Sequence, residues 1–150
     1  MKFFGIVFLK RKTIALGDQS VTEYTLLEYK KWFSLKLFNF HKTSGLQDRF
    51  HTHAFGAVSI RLFGNYVEEL LIDNKIVQRH RNHKRFLFIP RDTYHRITRS
   101  DGCWTVLITG PWGENFKELR DCGDLLFQEV TCGPGRVDVS YGPVIQLTEK

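Results

Sequence analysis

The sequence predicts an all-β sandwich or barrel built as one domain. Three observations carry this: short apolar segments alternate with polar residues, turn-forming residues separate them, and only one stretch has a helical look. The 150 residues are 42% hydrophobic and 25% charged, with a formal net charge of +6. That is an ordinary globular composition for one domain, and a chain of this size buries roughly two-thirds of its unfolded surface without staples. No apolar run reaches the roughly 20 residues of a membrane-spanning helix.

Phe3 to Leu9 is apolar, but it is short, runs straight into Lys10-Arg11-Lys12 and lacks a small-residue cleavage site. It reads as a strand, not a signal segment. Trp32 to Phe40 alternates as a half-buried strand does, and the polar stretch Lys42 to Asp48 connects it to a segment from Arg49 to Phe63. Gly64-Asn65 tolerates the positive φ of tight hairpins and predicts a hairpin of residues 54–63 with 66–72. Asp73-Asn74 turns the chain into Lys75 to Arg81. Arg85 to Pro90, Tyr94 to Arg99 and Cys103 to Thr109 follow, with Ser100-Asp101-Gly102 as a turn, and Asn115 to Arg120 is the predicted short helix. Val137 to Leu147 reads as an extended return. Val58, Ile60 and Leu62 form an apolar face opposite the histidines described next. An N-terminal strand or a second subunit, giving a homodimer, is expected to cover it.

Three cysteines, Cys103, Cys122 and Cys132, are widely spaced without a C-x-x-C, which predicts a reducing, cytoplasmic setting and no disulfide framework. No nucleophile elbow, phosphate loop or dinucleotide fingerprint is present.

The six histidines are the most informative residues. His51-Thr52-His53 is an H-x-H on an extended segment, where alternate side chains share a face about 6.5–7 Å apart and can converge on one ion. His95, opening the strand after Pro90-Arg91-Asp92-Thr93, is the natural third ligand. Tyr94 and Asp92 beside it are the candidate acid–base groups. Phe55 and Trp104 are candidate pocket-lining residues. His41 reads as a surface residue.

Residues 45 to 99 resemble the cupin superfamily. Gly45 followed five residues later by His51-Thr52-His53, with Gly64 as closing glycine, matches the first cupin motif. Pro90-Arg91-Asp92-Thr93-Tyr94-His95 keeps the spacing of the second. The wording R-F-H-x-H and C-W-T-x-x-x-T-G-P is similar to that of small bacterial and phage proteins of this superfamily. The resemblance implies a jelly-roll barrel (a double-stranded β-helix) with at most one or two short helices, its motif-bearing core spanning residues 32–110. Ala57 stands where the family's glutamate ligand belongs, and Lys84, Asp92 and Arg99 replace other motif residues. The implied site is therefore three histidines, as in the thiol dioxygenase branch. It would hold one divalent metal, iron(II) first, with zinc, manganese or nickel as alternatives.

Glu68 is expected to lie far from that site. In the predicted hairpin it stands level with residue 61, about 26 Å along the strand from His53, and joins Arg61 and Arg79 in a cross-strand charge ladder. Arg61 alternatively faces the interior and receives a substrate carboxylate. The run Arg79-His80-Arg81-Asn82-His83-Lys84-Arg85 is too cationic to hold a metal. Its Arg79, Arg81, Lys84 and Arg85 form a basic patch suited to phosphate or nucleic acid.

Three functions compete: a metal-dependent cupin enzyme such as a small-molecule dioxygenase, a non-catalytic module binding a sugar, nucleotide or acid, and a structural or regulatory protein with a basic face.

Overall fold

A computed structural model of the chain describes residues 2–3, 6–16, 19–42, 49–82, 84–133 and 138–148. The described residues form strands β1 (Lys2–Phe3), β2 (Ile6–Leu16), β3 (Gln19–Tyr29), β4 (Phe33–Phe40), β5 (Ala57–Phe63), β6 (Tyr66–Ile72), β7 (Lys75–His80), β8 (Phe86–Ile89), β9 (His95–Ser100), β10 (Cys103–Thr109), β11 (Phe116–Gly123), β12 (Leu126–Cys132) and β13 (Asp138–Gln146). They contain no helix, and so none long and apolar enough to cross a membrane.

One layer is a seven-stranded sheet in the order β1-β2-β3-β4-β10-β5-β8. The other contains β7-β6-β9 and β11-β12-β13, joined through the segment that carries the H-x-H. His51 bridges to His95 on one side and to Glu118 on the other. The His51 and His95 amides each donate to the other's carbonyl at 3.0 Å, while the Thr52 amide donates to the Lys117 carbonyl at 2.8 Å. The lower layer is thus continuous through residues 50–52, and the two antiparallel layers make the double-sheet jelly roll.

Apolar clusters fill the space between. Phe55, Ala57, Leu87, Ile89 and Leu107 form one, with Trp112 and Phe38 against it. Tyr66, Ile97 and Cys103 form another, backed by Phe40, with members from both layers. Full burial of one such large side chain contributes about 1.5–3 kcal/mol.

Two expectations fail. Residues 54–63 and 66–72 are not a paired hairpin: β5 bonds to β10 and β8, whereas β6 bonds to β7 and β9. Gly64, at φ 73°, sits so tightly against the Gly102 carbonyl that a Cβ would overlap it. There the chain crosses from one sheet to the other. A Gly-Asn pair signals positive φ, and positive φ serves a crossing as well as a hairpin. Asn115 to Arg120 is likewise not a helix but leads into β11. An isolated turn of helix is marginal, whereas this segment finds backbone partners in Phe50 and Thr52 on one side and β12 on the other. The Asp73-Asn74 turn holds as predicted, with φ of 50° and 60°. Asp124-Leu125 forms a second turn of this kind, at φ 50° and 62°, which the sequence does not announce because leucine rarely adopts positive φ.

The outer face of the large sheet is apolar in register. One row runs Phe88–Val58–Ile108–Leu35–Leu27–Phe8 across six strands. The next runs Phe86–Ile60–Val106–Leu37–Tyr24 and ends at Arg11. Strands β2 and β3 extend this sheet beyond β4.

Candidate metal centre

His51, His53 and His95 each offer one ligand atom, and these atoms all lie within 4.8 Å of one another. The backbone explains the convergence. The bridge pairs His51 with His95, Thr52 turns away so that its hydroxyl accepts the Lys117 amide at 2.9 Å, and His53 therefore returns to the face of His51. The His53 amide donates to the Arg91 carbonyl at 3.1 Å, which ties the H-x-H to the turn that launches His95.

Hydrogen bonds set the direction of the ring nitrogens. The carboxylate of Glu68 lies 3.2 Å from His95 Nδ1, and the Arg49 carbonyl oxygen lies 3.0 Å from His51 Nδ1. Both neighbours are acceptors, so both Nδ1 atoms carry the proton, leaving each Nε2 lone pair available as a ligand. His95 Nε2 meets His53 Nε2 at 2.8 Å. Two ring nitrogens this close need a shared proton or a cation between them. Burial, then His95 and His51, hold the His53 imidazole well below its ordinary range and therefore neutral, which is the ligating form. The donor set fits a divalent ion of borderline softness, and no carboxylate joins the three histidines among the described residues.

Glu68 is the main correction. It is not about 26 Å away but in contact with the site, because the hairpin that defined that distance does not form. Glu68 pairs with Ile97 while Leu70 pairs with His95, making Glu68 the diagonal neighbour of His95 on the inner face. The predicted pairing of Glu68 with Arg79 is present, with Arg79 Nε donating at 2.9 Å. The third rung is absent, since Arg61 pairs with Thr105. Burial pushes the Glu68 carboxyl up, but bonds from His95 and Arg79 outweigh it and hold the group ionised.

Of the other candidates, Phe55 is at the site: its ring stacks on His53 at 5.1 Å and meets Trp112 at 4.7 Å. Trp112, which the sequence reading missed, also receives the Lys30 and Lys36 ammonium groups on its ring. Trp104 stacks on Tyr24 at 5.9 Å, on the outer face, because the buried Cys103 and Thr105 beside it take the inward positions. Arg61 donates to the Gly64 and Asn82 carbonyls, bracing the crossing. Tyr94, one residue before His95, takes the other side of the chain and donates to Glu129 at 2.5 Å. Burial and that carboxylate push its phenol well above the ordinary range. Asp92 is exposed.

The basic run divides. Arg79 and Arg81 point inward by strand alternation, Arg81 to only 1% exposure, while His80, Lys84 and Arg85 are exposed. The four-cation patch therefore does not exist as one surface. His83 and Gly45 lie outside the described residues. His41 is an exposed residue whose ring bonds Thr22 at 2.9 Å.

The two-layer jelly roll with an interior histidine group is the cupin fold. Solved structures agree. A cupin-2 domain protein of Rhodospirillum rubrum superposes with a TM-score of 0.53 at 12% identity, covering 77% of this chain and 76% of its own. The hydroxypropylphosphonic acid epoxidase of S. wedmorenis gives 0.51 at 13% identity, covering 69% of this chain and 59% of its own. No protein-family model matches the sequence, and no curated protein does.

Proposed function

We propose that His51, His53 and His95 bind one divalent metal, with iron(II) as the physiological ion, and that the protein is a dioxygenase acting on a small anionic molecule. The observation that carries this is the 2.8 Å approach of the His53 and His95 Nε2 atoms, with both His51 and His95 held in the ligating tautomer. A bound iron(II) with three protein ligands supplies open positions for dioxygen and substrate. The chain's own residues do the rest. Three neutral imidazoles leave the ion's double charge uncompensated, which favours an anionic ligand. Phe55 and Trp112 keep water from one side of His53, and Glu68 holds the His95 ring in orientation.

A binding module without turnover is the second reading. It is favoured by the placement of Tyr94 and Asp92, neither of which stands at the histidines. Elemental analysis of protein purified without an affinity tag, before and after addition of iron(II), zinc, manganese or nickel, tests the metal. Oxygen consumption with small thiols and carboxylates tests the chemistry. Stoichiometric iron with oxygen uptake supports the dioxygenase, metal without uptake refutes the dioxygenase, and failure to take up any of the four refutes the metal centre and favours the binding module.

A further inference from the structure

We infer that Arg81 and Arg61 form an enclosed anion site at the Gly64 end of the barrel, and that its ligand is a small doubly charged oxyanion, inorganic phosphate. Arg81 is 1% exposed, and its Nε, Nη1 and Nη2 are all buried with no hydrogen-bond partner among the described residues. Arginine carries five N–H donors and does not give up its proton. The Tyr66 ring, 5.6 Å from the guanidinium carbon, attracts the charge but offers no oxygen to those donors. A buried charge is ordinarily paired, and buried donors that the protein itself leaves unsatisfied call for a ligand.

The fold brings the two guanidinium groups in from opposite layers. Arg81 follows β7, its amide donating to the Tyr66 carbonyl at 3.0 Å, so it stands opposite Tyr66, which in turn pairs with Ser100. Arg61 enters from β5, opposite the buried Thr105. Its Nη1 and Nη2 donate to the Gly64 and Asn82 carbonyls, and its Nε is buried with no partner among the described residues. Both charges reach the Cys103 thiol: burial pushes that thiol up to about 11, while Arg61 and Arg81 pull it the other way. The Tyr66 phenol, held protonated by burial and by Glu68, is a neutral donor beside Arg81. Charge selects the ligand. Arg61, Arg79 and Arg81 bring three positive charges to this end of the barrel, against the single carboxylate of Glu68, which Arg79 and His95 already share. The excess is that of a phosphate dianion, whose oxygens suit the guanidinium fork. Because the Arg81 nitrogens are closed to solvent, a free ion fits and an ester with a trailing chain does not. Tyr66 lies two residues before Glu68, about 7 Å along β6. Glu68 thus separates this site from the histidines, and the inference does not depend on the metal.

The test is thermal melting of the untagged full chain at about pH 8, refolded from urea into chloride buffer so that no anion is carried through purification. Inorganic phosphate at about 20 mM, compared with chloride of equal ionic strength, should raise the melting temperature by about 3–5 °C. Calorimetric titration should give one site per chain. Arg81→Met should fold, melt no lower than the wild type in chloride, and bind phosphate at least about 10-fold more weakly. Arg81→Lys, which keeps the charge but not the fork, serves if the methionine variant fails to fold, with the same loss expected. Lys84→Ala combined with Arg85→Ala, both exposed positions, should leave phosphate binding unchanged. No shift above the chloride control, or a shift that survives Arg81→Met, overturns the inference. So does a shift lost with the exposed pair, because the ion then sits on the surface. An equal shift with acetate or glycerol 3-phosphate overturns it too, because the site is then either indifferent to the second charge or not enclosed.

Discussion

Glu68→Gln changes one atom of the carboxylate and should nevertheless disable the metal centre. Glu68 is 1% exposed and accepts from Arg79 Nε at 2.9 Å and His95 Nδ1 at 3.2 Å. Both partners are donors. A glutamine amide has one accepting oxygen, so its NH₂ must face one of them. Arginine cannot give up a proton; His95 can change tautomer. Moving its proton from Nδ1 to Nε2 satisfies the amide and removes the lone pair directed at the metal. Loss of such an outer carboxylate typically costs 10–100-fold in metal affinity, equivalent to about 1.4–2.7 kcal/mol. Folding stability should fall less, by about 1–2 kcal/mol, since the hydrogen bonds are re-formed as weaker neutral ones. Competition titration against a chelator measures the first quantity and urea unfolding of the metal-free protein the second. Unchanged metal affinity with lowered stability would show that Glu68 braces the strand pair only, and that the tautomer argument is wrong.

Three further outcomes follow from other parts of the molecule. Arg81 is buried, has no hydrogen-bond partner on any guanidinium nitrogen among the described residues and touches the Tyr66 ring, with its guanidinium carbon 5.6 Å from the centroid. Arg81→Met should therefore stabilise the protein by about 1 kcal/mol or more in urea titration, and a loss of stability would refute the reading. Gly64→Ala should cost more than Gly102→Ala, by about 1–3 kcal/mol, because both glycines have positive φ but only the former meets backbone. Equal melting shifts would contradict this. Acid should empty the metal centre. Burial and the neighbouring histidines lower the His53 value, so the unfolded chain takes up a proton below about pH 6.5 that the folded site refuses. Stability present above that pH is lost as it falls, whereas the folded site, with His53 held neutral, should keep its metal until the pH is well below 6.5. Metal lost already above about pH 6.5 would contradict a neutral His53 ligand.

Which features were legible in the sequence follows from the range of the physics behind them. The strands and the H-x-H were legible because side-chain alternation is local: Thr52 faces away and His51 and His53 return to one face whatever the rest of the chain does. The turn at Asp73-Asn74 was legible for the same reason, since two residues with a tolerated positive φ suffice. Gly64-Asn65 sends the same local signal, but its outcome depends on which sheets are available on either side, and that is decided by partners 40 residues away in β10. The place of Glu68 turns on the same ambiguity: a hairpin would hold residue 68 far along the strand from His53, whereas the crossing brings it over the barrel to His95. A run of cations reads as solvated surface, yet strand alternation turns Arg79 and Arg81 inward. Trp112 gave no signal at all, since it lies in an irregular connection after β10 and reaches Phe55 only through the fold. The same division applies to the chemistry. The three ligand candidates are written in local spacing, while the carboxylate that fixes their proton positions is supplied by tertiary pairing. Sequence alone could therefore nominate the histidines without indicating which nitrogen of each would face an ion.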